Sequence, residues 1–187
     1  MTPNPPPSPA AGPLDDRRRR TLAAAAERIH PADDLGPGAV DLGVVGYLEA
    51  MLVETRDERP WAGIYLAGLD LLDELARARA GLPFAELPAP EQDLILAGLD
   101  RGPAADRVGA PPPTVGEDFL DLLIEHVHEG VLGDPVHGGN RGGRGWSLLS
   151  YPGPRPVIPA AGQEIGFTAP TDPSSTYDHP LFAGAHR

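Results

Sequence analysis

Glu125, His126, His128 and Glu129 put two carboxylates and two imidazoles into five residues, and Asp134 and His137 follow within ten more. These are the side chains best suited to hold a metal or move a proton. Glu125 and His128, at i and i+3, share a helix face with the Glu-x-x-His spacing of di-iron bundles. Such a site needs a second pair and two further glutamates on facing helices; Glu27 and His30 repeat the spacing, but at the end of a short helix that Pro31 stops. His126 and His128 lie about 200° apart around a helix and do not chelate one zinc ion together. A stand-alone metal-dependent enzyme would have to use Glu125, His128, Asp134 and His137. The simpler role for the histidines is as favourable charges near a helix C-terminus.

Other constellations are weaker still. His137-Gly138-Gly139 matches an esterase oxyanion loop, but no Gly-x-Ser-x-Gly elbow supplies a nucleophile. Arg141 and Arg144 among glycines could cradle phosphate, yet no apolar strand precedes them and no Lys-Ser/Thr pair follows. Asp33 and Asp34 beside Gly36-Pro37-Gly38 have turn chemistry rather than that of a general acid and base. Trp61, Tyr65 and Phe84 are assigned to the core. No catalytic, cofactor or metal residue is assigned.

What remains is the stretch at 133–153, GDPVHGGNRGGRGWSLLSYPG, in which seven of twenty-one residues are glycine. Glycine admits positive φ and close backbone approach, and with two arginines, an asparagine and a tryptophan the composition is that of a recognition loop. Asp134 should hold its turn. The expected contacts to a partner come from Asp134, His137, Gly138, Gly139, Asn140, Arg141, Trp146 and Tyr151, with Asn140 and Arg141 hydrogen-bonding across the interface. Trp146 either buries its ring in that interface or plugs this chain's own core.

The 187 residues carry a formal charge of −12, contain no cysteine and take all fifteen basic residues as arginine. Disulfides and thiolate chemistry are excluded. The acidic balance opposes binding to nucleic acid or anionic membranes. Residues 132–187 hold four acids and four arginines, so the net charge lies before them and the neutral end is better suited to intimate contact. No apolar run approaches the roughly 18–20 residues of a bilayer span.

The element pattern is all-α: a compact bundle of about five helices, a glycine-rich C-terminal loop and extended proline-rich tails. Residues 1–20 form a disordered proline- and arginine-rich arm, 21–154 the helical domain and 155–187 an extended C-terminal arm. Helices are predicted over 21–29, 39–54, 60–80, 89–99 and 115–131, from apolar residues at three- and four-residue steps and from Gly and Pro stops. Val40, Leu75 and Leu94 are placed on inward faces. Residues 102–114 read as a flexible excursion. In the final arm, Phe167, Tyr177 and Phe182 are the candidate anchors. Arg17–Arg20 suggest a twin-arginine leader, but the following apolar stretch is too short for one and a solvated helix start fits better.

Taken in order, these residues resemble the gluconate 2-dehydrogenase subunit 3 family. The matching features start with Arg28-Ile29-His30-Pro31-Ala32-Asp33-Asp34, Gly36-Pro37-Gly38, residues 39–52, Ala67-Gly68-Leu69, Leu72-Asp73, Phe84-Ala85-Glu86-Leu87 and Glu91-Gln92-Asp93. They end with Glu129-Gly130, Gly133-Asp134-Pro135, Gly138-Gly139-Asn140-Arg141, Gly145-Trp146 and Tyr151-Pro152-Gly153.

The resemblance implies a non-catalytic small subunit that holds no cofactor itself. It would pair with a large FAD-dependent flavoprotein of the glucose-methanol-choline (GMC) type that oxidises a sugar or glycoside hydroxyl, in some complexes alongside a cytochrome subunit. The small subunit would support folding, flavin loading, stability or export of that partner; the alternatives to this reading are the stand-alone metal-dependent enzyme and a scaffold protein without a redox partner. Two departures stand out. The resemblance brings with it a twin-arginine leader whose apolar region is missing here, so a cytoplasmic complex is expected unless another subunit carries the address. Residues 155–187 also run past the resemblance, and the arm is expected to lie across the catalytic subunit.

Overall fold

Asp15 starts the first helix by accepting the Arg18 amide at 2.8 Å, the cap that satisfies a free N–H of the first turn. The computed structural model describes residues 14–54, 61–100, 114–155, 158, 160–167 and 173–178. The predicted excursion at 102–114, apart from residue 114, and the first thirteen residues lie outside them, as does Phe182. Six α-helices are described: α1 (Asp16–Ile29), α2 (Val44–Glu54), α3 (Trp61–Ala80), α4 (Ala89–Ala97), α5 (Val115–Leu132) and α6 (Arg144–Leu148). Among the described residues no strand occurs beyond one isolated bridge, Asp33 to Gly36, and the class is all-α. No described helix is long and apolar enough to cross a membrane.

The described residues fall into two compact units, one within Met1–Ala25 and Glu49–Asp121, the other within Ala26–Leu48 and Leu122–Arg187. In the first, α3 buries Tyr65, Gly68, Leu69, Leu72, Asp73 and Ala76, an unbroken three-four stripe. Gly68 is required by close approach: a Cβ there would lie 2.1 Å from the Phe119 ring, which meets Tyr65 edge-to-face at 5.5 Å.

The charged member of that stripe organises its surroundings. Buried Asp73 accepts from Arg17 Nη1 at 2.6 Å, Thr21 Oγ1 at 3.2 Å and the Phe84 amide at 3.0 Å. Gln92 Nε2 donates to the Phe84 carbonyl at 3.0 Å, which adds α4 to the same cluster. Burial alone would raise the Asp73 carboxyl, but hydrogen bonds from Arg17, Phe84 and Thr21 outweigh it and hold the group below the usual carboxylate range. Asp70, clasped by Arg18 and Arg17, is lowered to about 2.

Three sequence expectations change here. The first helix starts at Asp16 rather than 21, because Arg17 and Arg18 are good helix formers whose guanidiniums find Asp70 and Asp73 instead of solvent. The second starts at Val44 rather than 39, because Gly43 sits at φ 81° and interrupts helical geometry; Val40 consequently stands outside the stripe and exposed. Leu75 and Leu94, assigned to inward faces, are also exposed, Leu94 at 56%, because the apolar stripes of α3 and α4 are wider than the surfaces that cover them.

In the second unit, the Glu27 carboxylate clips the turn after α1, accepting the Ala32 amide at 3.1 Å and the Val40 amide at 3.0 Å. Asp33 accepts the amides of Leu35 and Gly36, the turn role its type predicts. The later part of α5 buries Leu123, His126, Val127 and Val131, and exposed Glu129 accepts the Tyr47 hydroxyl at 2.9 Å.

Candidate partner-binding surface

Beyond α5 the glycine-rich stretch is folded tightly on the helix end. Gly133 N donates back to the Glu129 carbonyl, and Asp134 caps a 3-10 turn, Pro135–His137, by accepting the Val136 amide at 3.1 Å. Gly138 at φ 93° closes that turn. Asn140, at φ 43° and 0% exposed, then ties three backbone segments together. Its amide donates to the Gly130 carbonyl at 2.7 Å, its Nδ2 donates to the Gly133 carbonyl at 2.8 Å, and its Oδ1 accepts the Gly145 amide at 2.8 Å. Arg141 N donates to the Leu42 carbonyl at 3.0 Å.

Helix α6 follows directly. Its Trp146 is 3% exposed, donates Nε1 to the Leu132 carbonyl at 2.6 Å and meets Tyr151 edge-to-face at 5.4 Å. Of the two placements weighed for Trp146, the structure shows the one inside this chain's own packing. Asn140 likewise requires correction: expected to hydrogen-bond across an interface, it is sealed inside and spends both side-chain groups on the loop, because only a side chain with one donor and one acceptor can bridge Gly133 and Gly145 here.

The C-terminal arm bears on the same loop. Ser175 Oγ donates to Asp134 Oδ1 at 2.6 Å, the Thr176 amide to Asp134 Oδ2 at 3.0 Å, and the Ser174 amide to the Pro152 carbonyl at 3.2 Å. Burial alone would raise the Asp134 carboxyl; hydrogen bonds from Ser175, Thr176 and Val136 outweigh it and lower it below the usual range. Around residues 173–178, then, the arm expected to lie across another subunit is held to this chain's own loop.

The side chains left on the outside include Val136, His137, Arg141, Arg144, Leu148, Leu149 and Tyr151. Gly138 is also exposed, Gly139 is buried, and Phe167 is exposed. The backbone of Tyr177 lies in a 3-10 turn, Thr176–Asp178. Glu125, His128, Asp134 and His137 do not assemble into a metal-holding group of three among the described residues. Glu125 and His128 face outward on α5, whereas His126 between them is buried. Sequence reasoning missed Glu27 as a turn clip, Ser175 and Thr176 as Asp134 partners, and the exposed Leu148-Leu149 pair. For the leucines a signal existed: two adjacent apolar residues at the end of a five-residue helix cannot both face inward.

Residues 16–153 match the model of one protein family, gluconate 2-dehydrogenase subunit 3. The chain belongs to that family. Neither the curated proteins nor the solved structures offer a match to it. A gluconate 2-dehydrogenase subunit 3 is one component of a dehydrogenase complex, so a protein partner is implied. The match spans both motif groups, from the His30 turn to Tyr151-Pro152-Gly153, and stops before the arm that Asp134 holds.

Proposed function

We propose that this chain is a non-catalytic small subunit that binds a large FAD-dependent dehydrogenase of the GMC type, acting on CH–OH groups of sugars or glycosides, and supports its folding, flavin loading or stability. The flavin belongs to the large subunit and this chain holds none; a cytochrome subunit can complete the assembly, and a cytoplasmic location is expected. One observation carries the reading. Two polar side chains of the loop, Asp134 and Asn140, are committed to holding backbone, while His137 and cationic, aromatic and aliphatic side chains face outward without a metal-holding group of three among the described residues. That is the composition of a recognition surface rather than of a reaction centre.

The test is purification of the tagged chain from its native host, with the visible spectrum and co-eluting bands recorded. A flavin absorption with a large band in comparable amount is expected. Production of that large protein without this chain should then lower its flavin occupancy. A colourless, partnerless preparation of folded protein overturns the reading.

A further inference from the structure

A cleft of about 690 Å³ opens in the second unit between the turn at residues 30–37 and helix α6. Its lips are apolar: Leu35 on the turn is 84% exposed and Leu149, just past α6, is 63% exposed, with Leu148 between them. Leu148 lies flat on the turn, so close that a Cβ on Gly36 would stand 2.3 Å from its Cδ2. An exposed apolar patch with a polar rim is characteristic of an interaction site.

A charged feature selects the occupant. Arg144 on the rim donates to the carbonyls of Asp41 at 2.5 Å and Arg141 at 3.3 Å. It forms no ion pair among the described residues, so its positive charge is not neutralised there. The one acid on the cleft wall, Asp33, turns Oδ1 to the amides of Leu35 and Gly36.

We propose that the cleft receives a short extended segment of the large dehydrogenase subunit in which an apolar side chain stands beside a carboxylate. The apolar side chain lies between Leu35 and Leu149, and the carboxylate pairs with Arg144. A volume of about 690 Å³ exceeds any one side chain and suits a few residues of chain, since clefts of roughly 300–1,000 Å³ enclose whole small ligands. The inference rests on the proposed function, that this chain binds the large subunit at all.

The experiment uses the flavoprotein that co-elutes with the full-length tagged chain, separated from it and rebound to purified variants on a biosensor. Leu149→Asp and Arg144→Glu should each weaken binding by about 10-fold or more, as hot-spot losses do, while Leu94→Asp, exposed on the first unit, should leave it unchanged. Leu149→Ser stands in if the aspartate variant fails to fold, judged by circular dichroism. If the wild-type chain brings down no flavoprotein, the proposed function falls and the occupant with it. If the wild type binds and the cleft variants bind equally, the cleft inference alone falls. If the isolated chain dimerises and Leu149→Asp makes it monomeric, the occupant is a second copy and the inference is overturned.

Discussion

Replacing Asn140 should destabilise the protein markedly, and the cost divides into two measurable parts. Asn140→Gly tolerates φ 43° but deletes the donor to Gly133 and the acceptor for Gly145. The Gly145 residue is buried, so its orphaned N–H costs about 1–3 kcal/mol, while the half-buried Gly133 carbonyl can turn to water and costs about 0.5–1 kcal/mol. Added backbone freedom in the unfolded chain raises the loss to about 2–5 kcal/mol. Asn140→Ala loses the same hydrogen bonds and must also hold a Cβ at positive φ, for about 1 kcal/mol more. For a chain of this size each kcal/mol moves Tm by about 2–4 °C, which predicts a fall of about 4–20 °C. The assay is urea and thermal unfolding followed by Trp146 emission in a Trp61→Phe background, since Trp146 donates to Leu132 beside the loop. Asn140→Gly within about 0.5 kcal/mol of its parent, at unchanged m, would refute the reasoning.

Asp73→Ala strands the Thr21 hydroxyl and the Phe84 amide and leaves Arg17 with Asp70 alone, and should destabilise by about 2–4 kcal/mol in urea melts, whereas Asp73→Asn keeps an acceptor for Thr21 and Phe84 and should lose clearly less. The Asp70 carboxyl is lowered to about 2 in the folded state, below an unfolded value of about 3.9, so its contribution is fully present above about pH 4 and is lost as pH falls toward 2. Asp70→Asn should flatten the stability–pH curve across that window, measured by urea midpoints at successive pH values. Asp134 is also lowered when folded, so its hold on the arm persists at neutral pH and fails on acidification. Asp134→Ala should reproduce the acid effect at pH 7, with faster hydrogen exchange at the Ser175 and Thr176 amides and little change at Gly145.

The helices were legible where burial follows period. The recurrence of Tyr65, Leu69, Leu72 and Ala76 dictates α3, and its ends follow from a proline before it and Gly81 after it. Period alone could not place Asp73, which by type belongs outside, because its burial depends on Arg17 and Thr21, more than fifty residues away in sequence. For the same reason Arg17 and Arg18 resembled a solvated helix start. Leu75 and Leu94 show the opposite failure: apolar spacing identifies a face that can be covered, not one that is.

The loop shows why composition located the candidate surface but misjudged its interior. Glycine serves two ends that a sequence cannot separate, conformational freedom and close approach. In this loop close approach is the stronger demand at Gly145, where a Cβ would lie 2.0 Å from the Val131 carbonyl oxygen, and at Gly139, where one would lie 2.2 Å from that of Gly130. The segment is therefore pressed onto the end of α5, and the side chains that looked most available, Asn140 and Trp146, are the ones that hold it there. A surface so fixed loses little entropy when another protein docks on it. On the proposed reading, recognition falls to residues that the packing leaves outside, Arg141, Arg144, Leu148 and Leu149, and to the cleft that the last three border, so a change at Asn140 should weaken binding only through the fold, whereas a change at Leu149 should weaken binding with the fold intact.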